Sequence, residues 1–233
     1  MSAETEAKIL CFDCETSGVD TDNDRIVQLV ISTANGAGEV LQTWEWIINP
    51  GVEMPDSVAE IHGLTTEILQ ERGVSPDIAL KEAYMVFADR ENLIWVAYNM
   101  AFDMSILNAE FKRHRDIEWA GDYIRDVRLF DPLVVDRHRD KWRKGKRTLE
   151  AAAGHYGVKF DATLAHEAGY DVEITAKVAA KVIRKYGLAT TEQQSSWYRS
   201  WATSLQSYFR RKDPEAYVDK GWPLKESKTR VTS

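Results

Sequence analysis

The chain has 233 residues, 44% of them hydrophobic, 10% aromatic and 29% charged, values of a globular protein that exclude a disordered or collagen-like chain. Its two cysteines, Cys11 and Cys14, leave no disulfide framework and fit a reducing compartment. The net charge of −7 makes a poor general polyanion binder, yet residues 121–233 carry 22 Lys and Arg against 15 Asp and Glu, a balance that could carry a local nucleic-acid footprint.

Lys8 to Cys14 reads as a first strand, followed by the turn residues Thr16-Ser17-Gly18. Arg25 to Ile31 and Val40 to Ile48 read as the next two strands, joined by a hairpin at Asn35-Gly36. Ser57-Val58-Ala59-Glu60 has the capping-box pattern of a short helix that Gly63 can end, and Ser75-Pro76-Asp77 opens a helix towards Asp89. Asn92 to Tyr98 is apolar throughout, hence a buried strand, and a helix follows from about Phe102 to Arg115. Arg125 to Val135 holds a further strand that Pro132 ends or marks as an edge. Arg147 to Tyr156 and Asp171 to Tyr186 read as helices. Trp197, Trp201, Leu205, Tyr208 and Phe209 form an aromatic stripe on a C-terminal amphipathic helix. Strands in a meander followed by alternating helices and strands predict an α/β domain with a mixed sheet. The division expected is a domain over 7–186 and a helix and tail over 187–233. The acidic start, Met1 to Glu6, lacks the apolar core of a signal peptide, and no apolar run approaches the roughly 20 residues of a spanning helix. A cytoplasmic protein without membrane contact is the expectation.

Three constellations carry chemistry. Asp13 and Glu15 end the first strand, and the two-residue period puts both carboxylates on one face. Adjacent like charges raise each other's pKa, a cost that a divalent cation with a preference for oxygen ligands removes. Asp103 follows the buried strand, in Asn99-Met100-Ala101-Phe102-Asp103, where Asn99 can cap the helix and Phe102 anchor its first turn. His166 and Asp171 lie five residues apart, which would turn them about 140° from each other on one helix. Gly169 is expected to break the helix between them, leaving His166 on a loop and Asp171 on a helix.

These motifs, in this order and on these elements, resemble the DEDDh-type 3′–5′ exonucleases, a family that includes proofreading subunits of bacterial DNA polymerases. The resemblance covers roughly residues 7–186 and implies a ribonuclease H-like fold, a mixed five-stranded sheet flanked by helices. It further implies that Asp13, Glu15, Asp103 and Asp171 hold two Mg²⁺ or Mn²⁺ ions, and that His166 takes the proton of the attacking water. Ile61-His62-Gly63-Leu64-Thr65 is similar to the family's segment beside the terminal nucleotide, so Thr16, His62, Asn99 and Phe102 are the implied substrate contacts. Glu167 stands where a related subclass has a catalytic Tyr. The implied partner is nucleic acid with a free 3′ end, single-stranded DNA before RNA. An RNA-directed member of the superfamily and a non-catalytic replisome module are the alternatives.

Three further features fall outside that pattern. Cys11 and Cys14 have CxxC spacing, but on a strand they face opposite sides. Residues 137–147 hold seven Lys and Arg around Trp142, suited either to phosphate contact and base stacking or to a solvated loop. The C-terminal stripe either packs on its own domain or binds a partner, a polymerase or a second copy.

Overall fold

The computed structural model describes residues 8–115 and 127–226, so the acidic start, Arg125 and Asp126 of the expected strand and the last seven residues lie outside the description. β1 (Ile9–Thr16), β2 (Ile26–Ala34) and β3 (Val40–Ile47) form an antiparallel meander. β4 (Ile94–Val96) and β5 (Arg128–Phe130) join the other side of β1 in parallel, giving the order β3-β2-β1-β4-β5. The helices are α1 (Asp56–His62), α2 (Thr66–Arg72), α3 (Pro76–Ala88), α4 (Met100–Arg115), α5 (Pro132–Arg139), α6 (Leu149–Tyr156), α7 (Ala168–Tyr186) and α8 (Thr191–Phe209).

The side-chain alternation of β1 divides the core. Leu10, Phe12 and Cys14 pack with α3 and α4 on one face of the sheet. Ile9 and Cys11 pack with α6 and α7 on the other. The two cysteines therefore sit in different layers, free and buried, and cannot bridge. The odd-numbered row that starts with Ile9 and Cys11 ends with Asp13 and Glu15, aimed towards the start of α7. The C-terminal ends of the parallel strands β1, β4 and β5 share one edge, where open α/β sheets hold their ligands.

Several expectations are corrected. α1 starts one residue before Ser57, behind Pro55, and no side chain caps it, so the capping box does not form; Gly63 ends it in the left-handed region, as expected. α2 was not anticipated; Thr65 caps it, accepting from the N–H of Ile68. The strand does end before Pro132, at Phe130, but Leu133 to Val135 are not strand: Pro132 opens α5 at its first position, behind the cap Asp131. The C-terminal helix packs on its own domain, burying Gln194, Tyr198, Ala202 and Gln206, with Trp197 and Trp201 of the expected stripe packed against the core and the end of the stripe left out. Trp197 and Trp201 ride its flank beneath α5, where His138 stacks on Trp197 and the Arg137 guanidinium lies 4.0 Å from the Trp201 ring centroid. Tyr208 and Phe209 are exposed.

One buried carboxylate ties these elements together. Asp131 accepts from the N–H groups of Leu133 (2.9 Å) and Val134 (3.4 Å) at the start of α5, and of Met100 (3.0 Å) at the start of α4. Its own N–H donates to Gln194 Oε1 at 2.7 Å, fastening α8 to β5. Asp131→Ala would orphan two helix starts at once and is expected to cost about 2–4 kcal/mol, read as a lower urea midpoint with an unchanged slope. A midpoint within error of the parent would contradict this.

Candidate active site

The site forms where β1 ends. Asp13 and Glu15 come from the α7-facing row of β1, Asp103 from the first turn of α4, and Asp171 from the first turn of α7. Asp103 is fixed by the strand itself, its Oδ1 accepting from the Cys14 N–H at 3.1 Å. Asp171 Oδ2 accepts from the backbone N–H of His166 at 3.3 Å. His166 lies just before α7, exposed, at φ 67°. That left-handed backbone, followed by the cap Glu167, breaks the chain; Gly169 does not, since it lies inside α7. A left-handed conformation costs a residue with a side chain about 1–2 kcal/mol, and such strain gathers at functional sites.

Electrostatically the site lacks positive charge. Burial, then the charge of Asp171, raises Asp13 to about 7. Burial, then Asp13 and Asp171, raises Glu15 to about 8. Asp103 is pushed well up by burial and by Asp13, and Asp171 is raised by burial against the opposing pull of His166. Asp171 Oδ1 is buried with no hydrogen-bond partner. A buried, unpaired acceptor among carboxylates that each hold their protons too tightly fits a hard divalent cation, and the oxygen-only donors fit Mg²⁺ or Mn²⁺.

His62 closes one side. Its Nε2–H donates to the carbonyl of Thr16 at 3.3 Å and its Nδ1 accepts from the Leu64 N–H at 3.2 Å, a pair of bonds that selects the neutral tautomer. Burial lowers its pKa, the Thr16 bond opposes this, and the charge of His166 lowers it further, so the two imidazoles sense each other across the site. Thr16 is buried, its hydroxyl donating to the Gly18 carbonyl at 2.6 Å. Asn99 stands at φ 66°, its N–H turned to Asp131 at 3.3 Å, and Phe102 is half-buried on the first turn of α4. The structure thus brings Asp13, Glu15, Asp103, Asp171, His166, Thr16 and His62 together, with Asn99 and Phe102 alongside Asp103. Sequence reasoning missed Asp131, although Asp-Pro before an apolar run is a helix-start signature.

Proximity alone would select a different cluster. Among the described residues, Asp136, Asp140 and His155 form the group whose ligand atoms lie within 4.8 Å of one another. Asp136, however, is paired with Arg143, with Arg147 at 2.5 Å and with the Tyr156 hydroxyl at 2.6 Å. Two guanidiniums already supply the charge that a cation would bring. Within residues 137–147, Arg143 and Arg147 are thus paired inside the fold, while Trp142 is exposed.

The exonuclease family model, RNase_T, matches residues 10–179. The chain belongs to the exonuclease family. This exonuclease-family chain is 28% identical over 183 residues to the DNA polymerase III PolC-type of Bacillus subtilis (strain 168), a match over 77% of this chain and 12% of that protein. It is 24% identical over 192 residues to the PolC-type protein of Streptococcus thermophilus (strain ATCC BAA-491 / LMD-9), over 81% and 12%. The crystal structure of E. coli exonuclease I in complex with a dA16 oligonucleotide superposes at a TM-score of 0.68 and 19% identity, over 83% of this chain and 44% of that one. An exonuclease I from Methylocaldum szegediense gives 0.64 at 18%, over 87% and 46%. This exonuclease-family chain therefore spans about an eighth of its PolC-type relatives and less than half of the exonuclease I chains, and shares with the latter the ribonuclease H-like fold. Among the described residues no helix is long and apolar enough to cross a membrane.

Proposed function

We propose that this exonuclease-family chain is a metal-dependent 3′–5′ exonuclease that hydrolyses the terminal phosphodiester of single-stranded DNA and releases nucleoside 5′-monophosphates. The observation that carries the proposal is the convergence of Asp13, Glu15, Asp103 and Asp171 with a buried, unpartnered oxygen among them. These four carboxylates would hold two divalent cations, which when bound supply positive charge to the attacking and leaving oxygens. His166, exposed beside Asp171, is the general base that takes the proton of the attacking water and returns it to solvent. His62, kept neutral, and Thr16 present the end of β1 to the terminal nucleotide, and Phe102 offers a ring on which its base can stack. Asn99 shapes the turn that delivers Asp103.

DNA is favoured over RNA because the matching relatives are DNA polymerases and the neighbouring exonuclease I structure carries a DNA oligonucleotide. Single-stranded DNA and RNA of matched sequence, each given Mg²⁺ or Mn²⁺, test the choice. Faster metal-dependent release of 5′-monophosphates from DNA is expected. Faster release from RNA would overturn the substrate and keep the reaction, and no release from either would overturn both.

A further inference from the structure

The basic segment 137–147 and the aromatic helix α8 meet on one face of the molecule. They enclose a groove of about 380 Å³. Arg137, His138 and Lys141 line one wall, and Trp197, Trp201 and Ser204 line the other. No acidic residue lines it. The one acid of the segment, Asp140, faces Arg143 and His155, each at 3.5 Å. The one acid of α8, Glu192, lies in its first turn, where it borders β5 and not the groove.

The segment's cations are held in two ways. Arg143 and Arg147 are paired with Asp136. Arg137, Arg139, Lys141, Lys144 and Lys146 make no hydrogen bond and no ion pair among the described residues. Three of these rest on indoles instead: the Arg137 guanidinium lies 4.0 Å from the Trp201 ring centroid, that of Arg139 5.0 Å from Trp197, and Lys141 Nζ 5.1 Å from Trp142. A ring face fixes a cation without neutralising it and without using its N–H donors. Half-buried Arg137 is partly stripped of water, which pulls its pKa down, and the charge of Asp131 opposes this from beyond ion-pair distance. Lys141 joins the groove to Trp142, whose indole is 84% exposed although Trp is on average a highly buried residue. Lys144 and Lys146 follow it, both exposed.

Fixed, unneutralised cations in a row, with a bare indole among them, match a polymer that carries a phosphate and a planar ring in every unit. A duplex hides its ring faces, and an acidic polypeptide supplies charge without rings to stack, so an unpaired strand fits best. We propose that this α5–α8 face is a second nucleic-acid site, separate from the carboxylate site, where Arg137, Lys141 and Lys144 contact phosphates of a single strand and Trp142 stacks on one of its bases.

The test follows binding of a fluorescein-labelled oligodeoxythymidylate by anisotropy in EDTA, where no metal serves the carboxylates and the strand stays whole. The parent should bind. Trp142→Ala should weaken binding about tenfold, within the worth of one stacked base, and Trp142→Phe should weaken it less. Lys141→Gln combined with Lys144→Gln should flatten the dependence of log Kd on log salt by about 1.4, two phosphates' share on a single strand. All three side chains are exposed, and thermal midpoints matching the parent's verify that the variants fold. Polyglutamate of matched charge should compete poorly. A parent that does not bind in EDTA overturns the proposal, as does either Trp142→Ala or the paired lysine variant binding with the parent's affinity and salt slope. Polyglutamate that competes as well as unlabelled oligonucleotide also overturns it and makes the partner an acidic protein. Because binding is read without metal, a parent that releases no nucleotide in Mn²⁺ would remove the exonuclease reading and leave this site standing.

Discussion

Asp103→Asn is expected to lower metal-dependent nucleotide release by about 10³-fold or more, equivalent to about 4 kcal/mol of barrier, while leaving the metal-free protein more stable. Asn keeps the oxygen that accepts from the Cys14 N–H and removes a carboxyl group that burial and the neighbouring Asp13 push well above its ordinary value. The stability effect has a defined sign. Asp13, Glu15, Asp103 and Asp171 all have raised pKa values when folded, so the folded state keeps protons that the unfolded chain releases. Stability of the metal-free protein therefore falls as pH rises from about 4, the unfolded carboxylate range, to about 8, where Glu15 has ionised. Asp103→Asn should flatten that slope and raise the midpoint at pH 8 by at least about 1 kcal/mol, roughly 2–4 °C for a domain of this size. Adding Mn²⁺ should stabilise the parent more than the variant, because ligand binding to the folded state adds directly to stability. Thermal melts across pH, with and without Mn²⁺, check all three. A parent protein whose midpoint rises from pH 5 to pH 8 in EDTA would contradict the charge-starved site.

His166→Gly should lower turnover about 10²–10⁴-fold, the range of a general base, without unfolding the chain. Gly accepts the left-handed backbone that His166 occupies at a cost, so relief of strain offsets the added freedom of the unfolded state. Because His166 is exposed, imidazole in solution can reach the space its ring leaves and should restore part of the rate. A merely structural role predicts a lower thermal midpoint and no rescue. Turnover within about threefold of the parent would remove His166 from the proton transfer and pass that role to another group.

Much of this was legible where one-dimensional pattern and three-dimensional contact coincide. The alternation in Ile9 to Thr16 announces a strand buried on both faces, and the same alternation places Asp13 and Glu15 together. Asp103 was legible because a buried strand followed by a helix start leaves its position little choice. The pattern failed where polar groups are buried and satisfied. Gln194 and Gln206 lie off the aromatic stripe and no apolar pattern marks them; in the fold the Gln194 amide donates to the Leu129 carbonyl at 2.8 Å and its oxygen accepts from the Asp131 N–H. The apolar residues Leu133 to Val135 do not distinguish strand from helix, and it is Asp131 and Pro132 together that start the helix there. Gly169 was assigned a break that the backbone of His166 makes instead, since a left-handed His is rare enough that sequence reasoning defaults to glycine. The course of residues 218–225, after α8, was invisible because its anchors are backbone N–H groups meeting Gln206, Asp219 and Ser105, which no periodicity records.

The measurement closest to the central claim follows 5′-labelled single-stranded DNA with the parent protein and Asp103→Asn, in Mn²⁺ and in EDTA. A ladder that shortens one nucleotide at a time from the 3′ end, present only for the parent in Mn²⁺, is the predicted result. Shortening that persists in EDTA or in Asp103→Asn, or internal cuts in place of a ladder, would contradict a carboxylate-held metal site working from the 3′ end.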